Sequence, residues 1–281
     1  MTTPGIPQSW IDRARAILDG DLVPAEPRRA ATVVLLRKRP GGPQAYLLRR
    51  HAGMKFAAGM YAFPGGAVDP RDADHEVAWA GPAPEDWAKR FGTSAAEARA
   101  IVAAAVRETF EESGVLLAGP DTGSVVSDTT GDDWEADRAA LVDRSLGLTE
   151  FLDRRGLVLR SDLLGAWSRW ITPEFEDRRY DTWFFVAALP EGQRTRDVSG
   201  EADRVTWAAP ADALAGLKAG ELGMLPPTIE TLRNLSAFDS PEAARAAAAD
   251  RDLTPIMARP RLEGDRLVIA WPGIPDPFGV A

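Results

Sequence analysis

The sequence predicts an α/β fold in one domain, and three observations lead to this expectation. Segments typical of strands alternate along the chain with segments typical of helices, a pattern that places helices against a sheet. The length of 281 residues and the apolar fraction of 45% suffice for one large hydrophobic core. The 25 glycines and 22 prolines exceed the average, which favours long ordered loops over a helical bundle. We therefore expect a single domain over residues 1–281.

The first third of the chain contains short runs of β-branched and aliphatic residues separated by Gly and Pro, which is typical of strands joined by turns. The elements predicted here are an amphipathic helix at 9–19, strands at 31–38, 44–50 and 60–63, and a Pro-Gly-Gly-Pro turn at 40–43. Residues 67–93 contain four aspartates and three prolines without a clear period. We therefore expect an inserted loop there, with room for one helical turn.

The strongest helical pattern lies between Ser94 and Ser113, a segment rich in Ala, Arg and Glu. Ser94 has the side chain of an N-cap, and Glu97, three residues later, completes a capping box. Gly114 follows as a natural C-cap. The aliphatic run at 115–118 then predicts a return to a strand.

The second half of the chain alternates between helical and strand patterns in the same way. The elements predicted here are helices at 133–146 and 149–155, strands at 168–173, 180–189 and 203–208, helices at 210–219, 226–236 and 241–249, and a closing strand at 266–271. Pro210 fixes the start of the helix that follows it, because proline is favoured in the first helical turn.

Composition excludes several classes of function. The net charge of −9 disfavours a protein that coats nucleic acid. The absence of cysteine removes disulfides and thiol catalysis, and two histidines, His51 and His75, are too few for His-based triads or poly-His metal sites. We find no signal peptide and no run of about 18 apolar residues, and we expect a cytoplasmic protein without a membrane span.

Three carboxylates near the end of the strongest helix suggest a metal site. Glu108, Glu111 and Glu112 have the spacing i, i+3 and i+4, so they share one face of the helix. Like charges repel at this spacing, and the C-terminal end of a helix disfavours anions. Hard oxygen ligands without His or Cys suit Mg²⁺ or Mn²⁺. The alternative is a solvated acidic face on a surface helix. Arg107, four residues before Glu111, can orient that carboxylate.

A resemblance to the Nudix hydrolases is carried by the string RETFEESGV at 107–115, together with FPGG at 63–66. The resemblance implies a Nudix-type α/β/α sandwich with a mixed sheet, whose core spans about residues 30–210. The loop at 67–93 is then an insertion, and residues 211–281 form a C-terminal extension of helices and strand. Proteins of this family use divalent metal to cleave a diphosphate linked to another moiety.

Departures from the Nudix pattern point to one branch of the family. About 27 residues are inserted between Gly66 and Arg107, and Thr109 stands where the pattern has an aliphatic residue. An early glutamate of the pattern falls on Arg99, with Glu97 as the nearby substitute. A signature split by such an insertion resembles the coenzyme A diphosphatase-like branch.

The resemblance also implies roles for individual residues. Glu108 and Glu112 are expected as the main metal ligands, and Glu111 completes the cluster, directly or through water. Glu108 and Glu111 are thereby assigned to catalysis as well. The Gly65 carbonyl is a further expected ligand, and Arg107 is the orienting residue.

The general base is not fixed by the signature. Glu201, in the loop before a predicted strand, is our first candidate, and Glu174 and Glu176 are its rivals. The side chains and backbone expected to bind the substrate belong to Arg50, Arg179 and Gly66.

These inferences lead to a Mg²⁺-dependent hydrolase of a nucleoside diphosphate linked to another moiety, with coenzyme A or acyl-CoA as the favoured substrate. One alternative keeps the chemistry and changes the substrate to ADP-ribose, NADH, a nucleotide sugar or a dinucleoside polyphosphate. Another is a non-catalytic Nudix-fold ligand-binding regulator, although such proteins typically lack one of the box glutamates. The expected partner is a nucleotide-type small molecule, without nucleic acid or membrane, and a homodimer is left open.

Overall fold

The computed structural model describes residues 8–53, 57–73, 77–198, 200, 202–263, 266–275 and 277–278. Its helices are α1 (Gln8–Leu18), α2 (Pro84–Phe91), α3 (Ala95–Ser113), α4 (Asp132–Val142), α5 (Leu148–Arg154), α6 (Pro210–Lys218), α7 (Pro226–Leu235) and α8 (Pro241–Ala247). Its strands are β1 (Arg28–Arg39), β2 (Gly42–Arg50), β3 (Tyr61–Ala62), β4 (Gly65–Ala67), β5 (Trp79–Ala80), β6 (Ala118–Gly119), β7 (Val158–Arg160), β8 (Gly165–Ile171), β9 (Tyr180–Ala188), β10 (Ala202–Ala208), β11 (Arg259–Glu263) and β12 (Arg266–Ala270). The predicted helices and most of the predicted strands are confirmed.

A mixed sheet forms the centre of the fold, as the sequence predicts. Its strands run in the order β10-β2-β1-β9-β8. The neighbours β1 and β9 are parallel, whereas the other pairs along this path are antiparallel. The short strands β3 and β4 pair with β2 and β1. Through this last pairing Gly66 lies opposite Ala31, which fixes the glycine pair against the middle of the sheet.

Helices cover both faces of this sheet, and the two layers of the core follow from the alternation of side chains along a strand. In β1, Val33 and Leu35 pack with residues of α2 and α3, whereas Val34 and Leu36 pack with residues of α6, α7 and α8. All four are fully buried. The three-layer α/β/α sandwich is therefore confirmed.

The helix α3 has the ends that its sequence predicts. The Ser94 side chain accepts from the Glu97 N–H, and the Glu97 carboxylate accepts from the Ser94 N–H, so the capping box is complete. Gly114 ends the helix in the left-handed region with φ 72°. Inside the helix, the buried Thr109 hydroxyl donates to the Ala105 carbonyl at 2.7 Å, so its polar atom is satisfied where the Nudix pattern has an aliphatic residue.

The structure corrects two predictions about local structure. Residues 67–93 are not an open loop, because they contain the end of β4, a 3₁₀ turn at Pro70–Ala73, the strand β5 and the helix α2. The helix α2 was not predicted because the prolines and glycines of this segment are typical of loops. In the structure, Pro84 is the first residue of this helix and Gly92 is its C-cap. Only Ala118 of the strand expected at 115–118 lies in a strand, in the small sheet β5-β7-β6. The preceding aliphatic residues are buried in the core, which explains their strand-like composition.

Within the described residues, no helix is both long enough and apolar enough to pass through a membrane.

Candidate active site

The three glutamates at the C-terminal end of α3 line one cavity of about 470 Å³. Helical spacing places Glu108, Glu111 and Glu112 on one face, as the sequence predicts. The opposite wall of the cavity includes Gly65 and Gly66 of β4. The side chains of Glu108 and Glu111 are each only 12% exposed, so this acidic face is mostly removed from water rather than solvated.

Arg107 is the centre of the hydrogen-bond network around these carboxylates. Its Nη1 donates to Glu108 at 2.8 Å and to Glu111 at 3.1 Å. Its Nε and Nη2 donate to the two oxygens of Asp72 at 2.9 and 3.0 Å, and Nη2 also donates to the Ala67 carbonyl. All three guanidinium nitrogens are therefore engaged, and the residue orients both Glu108 and Glu111, not Glu111 alone.

The glycine pair approaches the carboxylates more closely than any other residue type could. A Cβ on Gly66 would lie 2.6 Å from Glu108 Oε1, and a Cβ on Gly65 would lie 2.5 Å from the Ala31 carbonyl oxygen. The Gly65 N–H donates to Glu112 at 2.8 Å. Glycine is thus required at both positions because a side chain has no room there. The backbone conformation is not the reason, since neither residue has a left-handed φ.

Burial dominates the electrostatics of this cluster. It raises the pKa of Glu108 to about 7, with Glu111 adding to the rise and Arg107 opposing it. Burial also raises the pKa of Glu111, against the charges of Arg107 and Arg144. Although burial opposes the charge of Arg107, its carboxylate neighbours hold its pKa above the ordinary value. The cluster therefore carries more negative charge than its one central arginine balances.

The donor set fits a hard divalent cation. The Arg107 guanidinium contacts three carboxylates, those of Asp72, Glu108 and Glu111, and Glu112 lines the same cavity. Burial makes this excess of negative charge unfavourable without a further cation. In the described part of the chain, no three acidic or histidine side chains are already gathered as a ligand cluster. Arg107 binds two of the glutamates, and the Gly65 N–H binds Glu112. Metal binding would therefore compete with these hydrogen bonds.

Asp72 is the site residue that the sequence analysis missed. Its side chain is only 1% exposed, and it binds Arg107 through both oxygens. It belongs to the 3₁₀ turn at the start of the insertion, 35 residues before its partner. The one available signal was the four aspartates of residues 67–93, but their number does not indicate which of them turns inward.

The structure separates the predicted substrate-binding residues. Arg50 and Gly66 line the cavity. Arg179 does not, because its guanidinium donates to the carbonyls of Ala25 and Thr172 under the sheet edge. Its neighbour Arg178 lines the cavity instead. The two arginines are adjacent in the sequence, and only the path of the chain before β9 determines which one lines the cavity.

The general base remains a prediction. Glu201 lies outside the described residues, although Gly200 lines the cavity. Its rivals Glu174 and Glu176 follow β8 and are not among the described residues of the cavity wall. Glu97, considered as a substitute for the early box glutamate, serves the capping box at the other end of α3.

The chain is similar to a known protein family and to individual proteins of that family. The family described as NUDT19 Nudix domain matches residues 84–235, more than half of the chain. The human acyl-coenzyme A diphosphatase NUDT19 is 29% identical over 269 residues, which cover 77% of this chain and 70% of the human protein. The chicken protein of the same name is 27% identical over 80% of this chain and 72% of its own.

Among solved structures, a NUDIX hydrolase from Alicyclobacillus acidocaldarius is similar to this chain. The two share 28% sequence identity with a TM-score of 0.66, over 82% of this chain and 99% of the bacterial one. Because this likeness extends over most of the chain, it supports the three-layer architecture described above.

Proposed function

We propose that this protein is a Mg²⁺-dependent acyl-coenzyme A diphosphatase. The proposal starts from the family, because the chain belongs to the NUDT19 branch of the Nudix family and is a pyrophosphohydrolase. The observation that carries the proposal is the partly buried carboxylate face of Glu108, Glu111 and Glu112, which lines one cavity together with Gly65 and Gly66. The relatives named as acyl-coenzyme A diphosphatases support the choice of substrate.

The chemistry follows from these residues. A divalent cation, when bound, would supply a Lewis acid, which would neutralise the diphosphate and lower the pKa of a water molecule. Glu108 and Glu112 are proposed to hold it, with Glu111 and the Gly65 carbonyl completing the set. Arg107 keeps the carboxylates of Glu108 and Glu111 aimed at the cavity and stays charged while it does so. We propose Glu201 as the base that takes the proton of the attacking water.

Features of the cavity wall suit a substrate that is anionic at one end and apolar at the other. The guanidinium groups of Arg50, Arg144 and Arg178 contribute positive charge. Leu141 and Val142, at the end of α4, contribute an apolar wall, and Val142 is 51% exposed. A phosphate-bearing nucleotide with a long neutral arm fits this division. Coenzyme A and its thioesters have this form.

Hydrolysis across a substrate panel tests the proposal. The panel contains an acyl-CoA, coenzyme A, ADP-ribose, NADH and a dinucleoside polyphosphate, each with and without Mg²⁺. We expect metal-dependent cleavage of acyl-CoA or coenzyme A, and Glu112→Gln should lower kcat by about 100-fold or more, because a neutral amide is a poor ligand for a hard cation. Glu150→Gln, an exposed acid in a surface ion pair, is the matched control and should leave kcat unchanged.

Other outcomes are equally informative. Cleavage of a different panel member alone would keep the site and reject the acyl-CoA assignment. Binding without any turnover would favour the ligand-binding regulator. Cytoplasmic location and a homodimer remain predictions from the sequence, to be checked by fractionation and by the mass of the protein in solution.

A further inference from the structure

The end of α4 has an unusual residue at a position where this chain otherwise uses glycine. The helices α1, α2, α3, α5 and α6 are each followed by a glycine in the left-handed region, namely Gly20, Gly92, Gly114, Gly156 and Gly220. The helix α4 is followed there by Arg144, with φ 66°. A side chain is disfavoured in this conformation. The arginine is therefore not explained by the requirements of the turn.

The guanidinium of Arg144 is available to a ligand. Arg144 is exposed and lines the same cavity as the three glutamates. Within the described parts of the chain, its side chain donates no hydrogen bond and forms no ion pair. The positive group thus lies in the wall of the cavity that holds the carboxylates, and among the described residues it has no hydrogen-bond or ion-pair partner.

The backbone of Arg144 is held by the first turn of the insertion. Arg71 Nη1 donates to the Arg144 carbonyl at 2.6 Å. Arg71 is itself held by Asp69, which accepts from its Nε at 3.0 Å and its Nη2 at 2.8 Å. The Asp69 N–H in turn donates to Asp72 at 2.9 Å.

This turn is continuous with the catalytic network, since Asp72 also accepts from Arg107. A second connection fixes α4 directly to α3, because Arg138 donates to the Glu111 carbonyl at 2.7 Å. The position of Arg144 is therefore set by the same residues that orient Glu108 and Glu111.

We infer that Arg144 binds a phosphate group of the nucleotide substrate, and that the Asp69–Arg71 pair positions it for this contact. The inference rests on the proposed function and assigns the insertion a role in substrate binding. A guanidinium with free N–H donors, in the wall of the cavity that also contains the three glutamates, matches the charge and geometry of phosphate. The glutamates repel the same phosphate, so a cation beside them offsets this repulsion.

Steady-state kinetics on coenzyme A and acyl-CoA with Mg²⁺ tests this inference. Arg144→Gln and Arg144→Gly should each raise KM by about tenfold or more with kcat nearly unchanged, because the contact is made equally in the ground and transition states. Arg144→Lys should restore part of the affinity. Arg154→Gln, an exposed arginine on α5, is the matched control and should not change KM.

The glycine variant separates binding from folding. Glycine accepts a left-handed φ without strain, so Arg144→Gly should have a thermal midpoint equal to or above that of the wild type. A fall in the midpoint together with an unchanged KM would assign Arg144 a structural role and overturn the inference.

Two further comparisons define the contact. The ratio of KM between Arg144→Gln and wild type is measured for coenzyme A and for 3′-dephospho-coenzyme A. Equal ratios place the contact on the diphosphate, and a ratio near one for the dephosphorylated substrate places it on the 3′-phosphate.

Arg71→Ala should raise KM less than Arg144→Gln does, and the double variant should show no further rise. Fully additive effects would contradict the positioning role of Arg71.

A binding measurement keeps this test independent of turnover. Calorimetry with adenosine 3′,5′-bisphosphate compares wild type with Arg144→Gln, and we expect weaker binding by the variant. If wild type hydrolyses acyl-CoA while KM and this affinity are unchanged in the variant, the inference is wrong and the proposed function stands. If wild type cleaves nothing but binds the nucleotide more tightly than the variant does, the proposed activity fails and the phosphate contact stands. Absence of both turnover and binding overturns both.

Discussion

The two ends of α3 carry the same kind of side chain in opposite physical circumstances. At the N-terminal end, Glu97 accepts from Thr93 and from the Ser94 N–H, and these hydrogen bonds lower its pKa to about 2. At the C-terminal end, burial raises the pKa of Glu108 to about 7. An acid at the start of a helix agrees with the helix dipole, whereas acids at its end oppose it.

The difference separates an end of the helix whose contacts serve folding from an end that we propose serves catalysis. Every interaction of Glu97 is local or on the surface, including its ion pair with Arg29. The glutamates of the other end depend on Arg107, on Asp72 from the insertion and on the backbone of β4. Folding alone does not favour such an arrangement. The divalent cation and the anionic substrate that we propose would account for it.

The largest effect that distinguishes the two ends is expected from Gly66→Ala. The new Cβ would lie 2.6 Å from Glu108 Oε1, and since the carboxylate is the movable partner, the change should displace it rather than unfold the protein. We expect kcat to fall by about 100-fold with little change in stability, because small displacements of catalytic groups have effects of this size.

Gly200→Ala is the control for this variant. Gly200 lines the same cavity, its φ is outside the left-handed region, and an added Cβ meets no atom of the described residues within 4 Å. It should therefore keep wild-type kinetics. Equal losses in both variants would mean that added bulk in the cavity, not displacement of Glu108, impairs the enzyme.

A second effect concerns pH and metal. Because the pKa of Glu108 in the folded protein, about 7, lies above its ordinary value of 4.5, the folded state gains protons as the pH falls. Without divalent metal, the free energy of unfolding should thus rise between pH 7.5 and pH 5, by about 1 kcal/mol or more. The gain is complete below pH 4.5 and is lost above pH 7. Urea unfolding in EDTA measures it.

Glu108→Gln is the control, and it should remove most of this pH dependence. Glu97 contributes little to it, because its lowered pKa leaves it ionised in the folded state throughout this range. Saturating Mg²⁺ should also reduce the change in the free energy of unfolding with pH, since the cation competes with protons for the Glu108 carboxylate. A pH dependence that is unchanged in Glu108→Gln would show that other acids cause it.

The smallest effect is expected at the N-terminal end. Ser94→Ala removes the side-chain acceptor for the Glu97 N–H and should lower the free energy of unfolding by about 1 kcal/mol. The capping box is roughly 20 Å from the carboxylates along a helix that rises about 1.5 Å per residue, so kcat and KM should be unchanged. A loss of activity in this variant at a temperature where it is folded would contradict the separation of the two ends.

Local patterns in the sequence predicted much of the fold and of the site. The capping box, the C-cap glycine and the shared face of three glutamates depend on residues at most four positions apart, so helical geometry alone determines them. Short runs of β-branched and aliphatic residues at 31–38 and 180–189 likewise predicted the two strands that the structure shows as β1 and β9. The position of Gly66 beside the glutamates came from the family resemblance and not from any local rule.

The tertiary structure decided which residues meet across the chain. Asp72 binds Arg107 over 35 residues, Arg71 binds the carbonyl of Arg144 over 73 residues, and no periodicity in the sequence encodes either contact. The two adjacent arginines at 178 and 179 are alike in sequence, and only the path of the chain sends one into the cavity and the other to backbone carbonyls. Hydrogen bonds of this kind form only after the sheet and α3 are packed, because their partners belong to different elements. The sequence by itself therefore determined the helix and its acidic face, and the packed fold determined the network that makes this face a site.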